Sequence, residues 1–111
     1  MGKLNPEHQL GAVAQRKKIK LADHRLELFL ALRVGEDDLI DVLLQVYHAR
    51  KNDLPVGLQV SLLDETEESF QEKIANEEER YLSFELTRAI GEFFSVKFSL
   101  EGNDLIENFV I

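Results

Sequence analysis

The stretch Gly91-Glu-Phe-Phe-Ser-Val-Lys-Phe-Ser-Leu100 decides the fold. Phe94, Val96, Phe98 and Leu100 fall on one side of an extended chain, and Ser95, Lys97, Ser99 and Glu101 fall on the other. A period of two marks a half-buried strand. A helix would scatter those four apolar residues around its axis. A strand with one apolar face needs a second layer to cover it, so the rest of the chain must supply that layer.

The same alternation recurs on both sides of this stretch. Leu82, Phe84 and Leu86 alternate with Ser83, Glu85 and Thr87. Gly102-Asn103-Asp104 reads as a turn, and Leu105 to Ile111 as a last strand whose apolar end packs into the body. Upstream, Leu58, Val60 and Leu62 form a buried row with Gln59 and Ser61 outside, after a turn at Leu54-Pro55-Val56-Gly57. Asp64 to Glu68 reads as a hairpin loop. Phe70, Glu72 and Ile74 mark a further strand, although Thr66 to Arg80 also fits a capped helix, since Phe70 and Ile74 are four apart. Ala75 to Arg80 is a charged connection. Ile40, Val42, Leu44 and Val46 oppose Asp41, Gln45 and Tyr47, and Ala49 to Asp53 follows as a polar, mobile loop. Leu26, Leu28, Leu30, Leu32 and Val34 form another row, between turns at Asp23-His24-Arg25 and Gly35 to Asp38; Leu26, Phe29, Leu30 and Arg33 also fit a helical face, but the unbroken alternation favours a strand. Gln15 to Asp23 is a short basic edge strand around Ile19 and Leu21. Residues 1–15 are a short N-terminal tail, with a helical turn after Asn5-Pro6-Glu7, where Asn would cap. The expectation is an all-β domain over residues 16–111. It is a small antiparallel β-sandwich, immunoglobulin-like or jelly-roll-like, of seven or eight strands.

The chain has 111 residues, 44% hydrophobic, which suits one compact domain with its own core. It has no cysteine, which excludes disulfides and thiolate metal sites and fits a reducing, cytoplasmic setting. No apolar run is long enough to span a membrane, and no secretory signal is visible. The net charge is −8 and unevenly spread. Residues 1–51 hold 9 basic and 7 acidic groups, and residues 52–111 hold 4 and 14. So acidic a domain disfavours direct contact with nucleic acid. It suits either plain solubility or docking to a basic partner.

Catalytic patterns are missing. His8, His24 and His48 are far apart in sequence, none at metal-ligand spacing with another, and His24 and His48 read as exposed bystanders. There is no phosphate-binding glycine loop and no nucleophile elbow. Ser61, Ser69, Ser83, Ser95 and Ser99 mostly occupy outward strand positions with no adjacent histidine. The acidic turns Glu36-Asp37-Asp38 and Asp64 to Glu68 would serve calcium only if they converged at one end of the sandwich.

Three segments resemble a known family. They are Leu54-Pro-Val-Gly-Leu-Gln-Val-Ser-Leu-Leu-Asp-Glu65, Gly91 to Leu100, and Ile106-Glu-Asn-Phe-Val-Ile111. Together they are similar to the C-terminal region of the cyanobacterial domain-of-unknown-function family 1822, over roughly Arg16 to Ile111. The departures are Asn108 where the family carries Asp, and a shortened Glu-rich stretch at Glu77 to Glu79. The resemblance implies a fold and a cytoplasmic bacterial setting; typical members carry an additional N-terminal region, and if that region carries the activity, this chain is the binding module without it. The resemblance implies no catalytic residues and no cofactor.

The expected function is a non-catalytic protein–protein interaction module, either an adaptor or an assembly part, binding another protein or a second copy of itself. Candidate edges are the basic strand with Arg16, Lys17, Lys18 and Lys20, and the last strand. Lysines on an edge strand also blunt unwanted pairing. The alternatives are an acidic decoy of nucleic acid that occupies a basic protein, and a sandwich that binds a small ligand or calcium.

Overall fold

The structure is a computed structural model and describes residues 13–111. The helical turn expected after Asn5 and the residue His8 lie outside the described residues. Eight strands form two four-stranded sheets. The strands are β1 (Val13–Leu21), β2 (His24–Val34), β3 (Ile40–His48), β4 (Gln59–Leu63), β5 (Ser69–Ile74), β6 (Tyr81–Arg88), β7 (Phe93–Leu100) and β8 (Asn103–Val110). The first sheet runs β1-β2-β3-β6 and the second β5-β4-β7-β8, with every neighbouring pair antiparallel. This is the expected sandwich. Of the two strand orders anticipated, the chain takes the immunoglobulin-like one: β2-β3-β6 facing β5-β4-β7-β8, with β1 added as an extra strand outside β2.

The core lies between the sheets and is built from the alternating rows. Phe94, Val96 and Phe98 meet Leu26, Leu28, Leu44, Phe84, Val60 and Leu62, all essentially solvent-free. Both the Phe94–Phe109 stack and the burial of Phe109 tie β8 to β7. Leu54, Leu58 and Ala75 close one end of the core from the connections, where Ala75 N–H donates to the Leu58 carbonyl at 2.8 Å.

The structure departs from the sequence expectations at several places. The segment after Thr66 is a strand, not a helix, but Phe70 and Ile74 are exposed, because β5 is an edge with a bulge opposite Leu62 and Leu63. Val34, the last residue of β2, is exposed although Ile40 directly opposite it is buried. Ser61 points away from the core yet is buried, since β4 lies between β5 and β7. β1 begins at Val13 and not at Gln15. His24 and Arg25 belong to β2, so the turn is Ala22-Asp23, and Asn103 and Asp104 belong to β8, so that turn is Glu101-Gly102. Glu101 (φ 52°) and Gly102 (φ 80°) both have positive φ, as a two-residue type I′ hairpin requires. The polar loop after His48 is tied back by hydrogen bonds to that side chain.

The sandwich has two flanks, and they differ. On one flank β6 lies beside β5, and β5 side chains cover its outward carbonyls. Gln71 Nε2 donates to Glu85 O at 2.7 Å, and Lys73 Nζ donates to Ser83 O. Arg88 lies 4.5 Å from the centre of the Phe70 ring, adding a cation–π contact to that flank. On the other flank β1 lies beside β8.

Candidate partner-binding edge

The local geometry of β1 follows from its turn. Leu21 and His24 flank a two-residue loop, and the residues closing such a loop exchange both backbone hydrogen bonds. The Ala49 N–H donates to the Arg25 carbonyl at 2.7 Å, which fixes the odd residues of β2 toward β3 and the even ones toward β1. In β1, therefore, the odd residues bond to β2. The even residues Ala14, Arg16, Lys18 and Lys20 aim their N–H and C=O groups away from the sheet. Among the described residues nothing pairs with those groups.

Side-chain direction follows the same parity. Ile19 and Leu21 are buried between the sheets, so odd positions face inward and even positions outward. The four basic residues of the expected patch are thus divided. Arg16, Lys18 and Lys20 stand exposed in a row on the outer face of the first sheet, directly opposite Phe29, Glu27 and Arg25 of β2. Among the described residues none of the three makes an ion pair. Lys17 faces inward instead. Its Nζ crosses the open flank to Glu107 Oε2 of β8 at 2.6 Å, with Glu107 only 20% exposed. Lys17 joins the two sheets and is not part of the outer row. The last strand, the other edge anticipated, is also unpaired on its outer side. Its closing turn and the Ile111 N–H to Glu92 O bond at 3.0 Å leave the backbone groups of Asp104, Ile106, Asn108 and Val110 facing out.

Some polar groups of the outer face bond to one another. Tyr47 Oη donates to Gln45 Oε1 at 2.6 Å, Thr87 Oγ1 to Asp41 Oδ1 at 3.1 Å, and Arg33 pairs with Asp41 at 3.6 Å. A shallow depression lined by Arg16, Glu27, Phe29, Gln45 and Tyr47 runs beside the basic row.

Sequence reading missed the histidine pair. His24 Nδ1 and His48 Nε2 lie 3.4 Å apart, with the rings edge to face. The backbone N–H groups of Arg50 and Lys51 both donate to His48 Nδ1, at 3.1 and 3.0 Å. That nitrogen must accept, so the His48 proton sits on Nε2 and is donated to His24 Nδ1. Burial, then the neighbouring His24, then Lys51 hold His48 below its ordinary value of 6.5. A protonated Nε2 cannot ligate a metal, and among the described residues no three potential ligands gather. The available signal was positional: both residues lie at the same ends of adjacent strands.

The two acidic turns do lie at the same end of the sandwich, since β2 and β4 both finish there. Their carboxylates do not converge. Asp64 Oδ1 accepts from Thr66 Oγ1 at 2.7 Å, from Thr66 N–H at 2.8 Å and from Glu68 N–H at 3.1 Å. The Thr66 hydroxyl and then the Glu68 amide hold Asp64 below the usual carboxylate range. That oxygen is committed to folding its own turn.

No helix among the described residues is long and apolar enough to cross a membrane. No curated protein and no solved structure matches the chain at a significant level. A family model does match it, over residues 1–110, and so begins ahead of the Arg16 start read from the three segments. With that match across nearly its whole length, the chain belongs to the family described as Protein of unknown function (DUF1822).

Proposed function

We propose that the protein is a non-catalytic interaction module that binds another protein by pairing at an edge strand. The observation that carries this reading is β1. It is nine residues long, its outward backbone groups have no partner among the described residues, and a row of unpaired cations stands beside them. An open sheet edge gains main-chain hydrogen bonds when a strand is added, and the flanking side chains choose which strand. The same proposal includes a cytoplasmic, cyanobacterial setting and a role as the binding portion of longer family members, both implied by the sequence resemblance.

The test is capture from lysate of the source cell with the native chain and with the double variant Arg16→Glu/Lys18→Glu. A partner held by the native chain and lost by the variant supports the reading. An identical set of partners removes the basic edge from consideration.

A further inference from the structure

Resting on that reading, we infer the chemistry of the strand that β1 takes: an antiparallel extended segment with acidic residues at every second position. Two independent features coincide on the same residues. Arg16, Lys18 and Lys20 are the residues whose backbone groups find no partner among the described residues, and they are also the residues whose cationic side chains face outward. In an antiparallel pair, a residue that exchanges hydrogen bonds lies directly opposite its partner, and both side chains project to the same face. Residues i, i+2 and i+4 of an incoming strand therefore stand opposite Lys20, Lys18 and Arg16. Carboxylates there meet three exposed cations that make no ion pair among the described residues; the nearest carboxylate on that face is Glu27, opposite Lys18.

The positions in between face the other way, over the open flank where β1 borders β8. A depression there is lined by Leu28, Leu30 and Phe109, with Gln15, Arg16, Lys17 and Asn108 at its rim. Apolar side chains at alternate positions cover it. Lys17 is already neutralised by Glu107, so this inner side asks for no further charge. The recognised pattern is acidic–apolar–acidic–apolar–acidic.

The edge also rejects a second copy of itself, and β6 offers no competing site. A second β1 in antiparallel register centred on Lys18 sets Lys18 against Lys18 and Arg16 against Lys20, so like charges lie directly opposite. The matching edge on the opposite flank, β6, is already covered by Gln71 and Lys73.

The test uses the full chain and two end-blocked peptides of identical composition. In one, glutamate and valine alternate; in the other, the glutamates and the valines form separate blocks. Binding is measured by titration calorimetry at about 50 mM and about 300 mM salt, with amide hydrogen exchange read in parallel. The alternating peptide is expected to bind at least about tenfold more tightly than the block peptide, weakening at the higher salt. It should protect the amides of Arg16 and Lys18. Both Lys18→Glu in the protein and N-methylation of the peptide's glutamates should abolish binding. Equal binding of the two peptides overturns the alternating pattern and leaves the edge reading standing, because charge alone would then suffice. Binding by neither peptide also overturns it, and the lysate comparison above then decides separately whether the edge reading falls as well.

Discussion

Lys17 and Lys18 are neighbours in sequence, yet one bridges the two sheets and the other faces open solvent. Lys17→Ala should lower stability by about 0.5 kcal/mol, the usual scale for a partly exposed ion pair. Lys18→Ala should leave stability unchanged within about 0.5 kcal/mol. Urea unfolding of both variants checks the contrast, and an equal effect would deny the bridge. Parity along a strand was readable in the residues, but the bridge partner was not, because Glu107 lies 90 positions away and meets Lys17 only once two sheets stack. The histidine pair was hidden for the same reason. Its pH consequence has a definite sign. His48 is held below 6.5 in the folded chain, so the unfolded chain binds the proton first as pH falls. The stabilisation is present above pH 6.5 and is lost as pH drops through the folded value. The melting temperature should therefore fall between about pH 7.5 and about pH 5.5, a window above the carboxylate range. In His48→Gln this part of the fall should shrink, and an unchanged pH profile in that variant would discard the pair as its source.

The alternating rows of β2, β3, β6 and β7 are buried as their period predicts. Period two reports a covered face, however, and β5 is an edge strand whose bulge at Phe70 interrupts the period, so Phe70 and Ile74 stay exposed. Phe98→Ala should cost about 3–5 kcal/mol, while Phe93→Ala, on the opposite side of the same strand and 57% exposed, should cost less than about 1 kcal/mol. Chemical denaturation of the pair tests whether β7 faces the way described. The β7–β8 turn offers a gain. Glu101 holds a left-handed backbone that a residue with a long side chain adopts reluctantly, whereas Asn-Gly is the favoured type I′ pair. Glu101→Asn should stabilise the protein by about 0.5–1 kcal/mol, seen as a higher denaturation midpoint. A loss would mean the turn is of another type.

Across the molecule, the layered architecture was legible because six of the eight strands carry an apolar row that only a second sheet could cover. Which strands border one another was not, since pairing depends on crossovers between sheets that leave no local mark in composition. The outcome is an asymmetric sandwich, with side chains of β5 closing the β6 flank and, among the described residues, the Lys17–Glu107 ion pair spanning the β1 flank. Its long-range strand pairings place refolding in the millisecond-to-second range, which stopped-flow fluorescence of Tyr47 and Tyr81 can follow; microsecond refolding would contradict this topology.

The side of β1 that no described residue fills leaves a signature that needs no partner to be seen. Alternate amides along one strand are either locked to β2 or open to water. Dissolved in heavy water, the strand should label like a comb, with Arg16, Lys18 and Lys20 exchanging early and Lys17, Ile19 and Leu21 late. Whatever lays itself along that side should turn the comb into an unbroken bar.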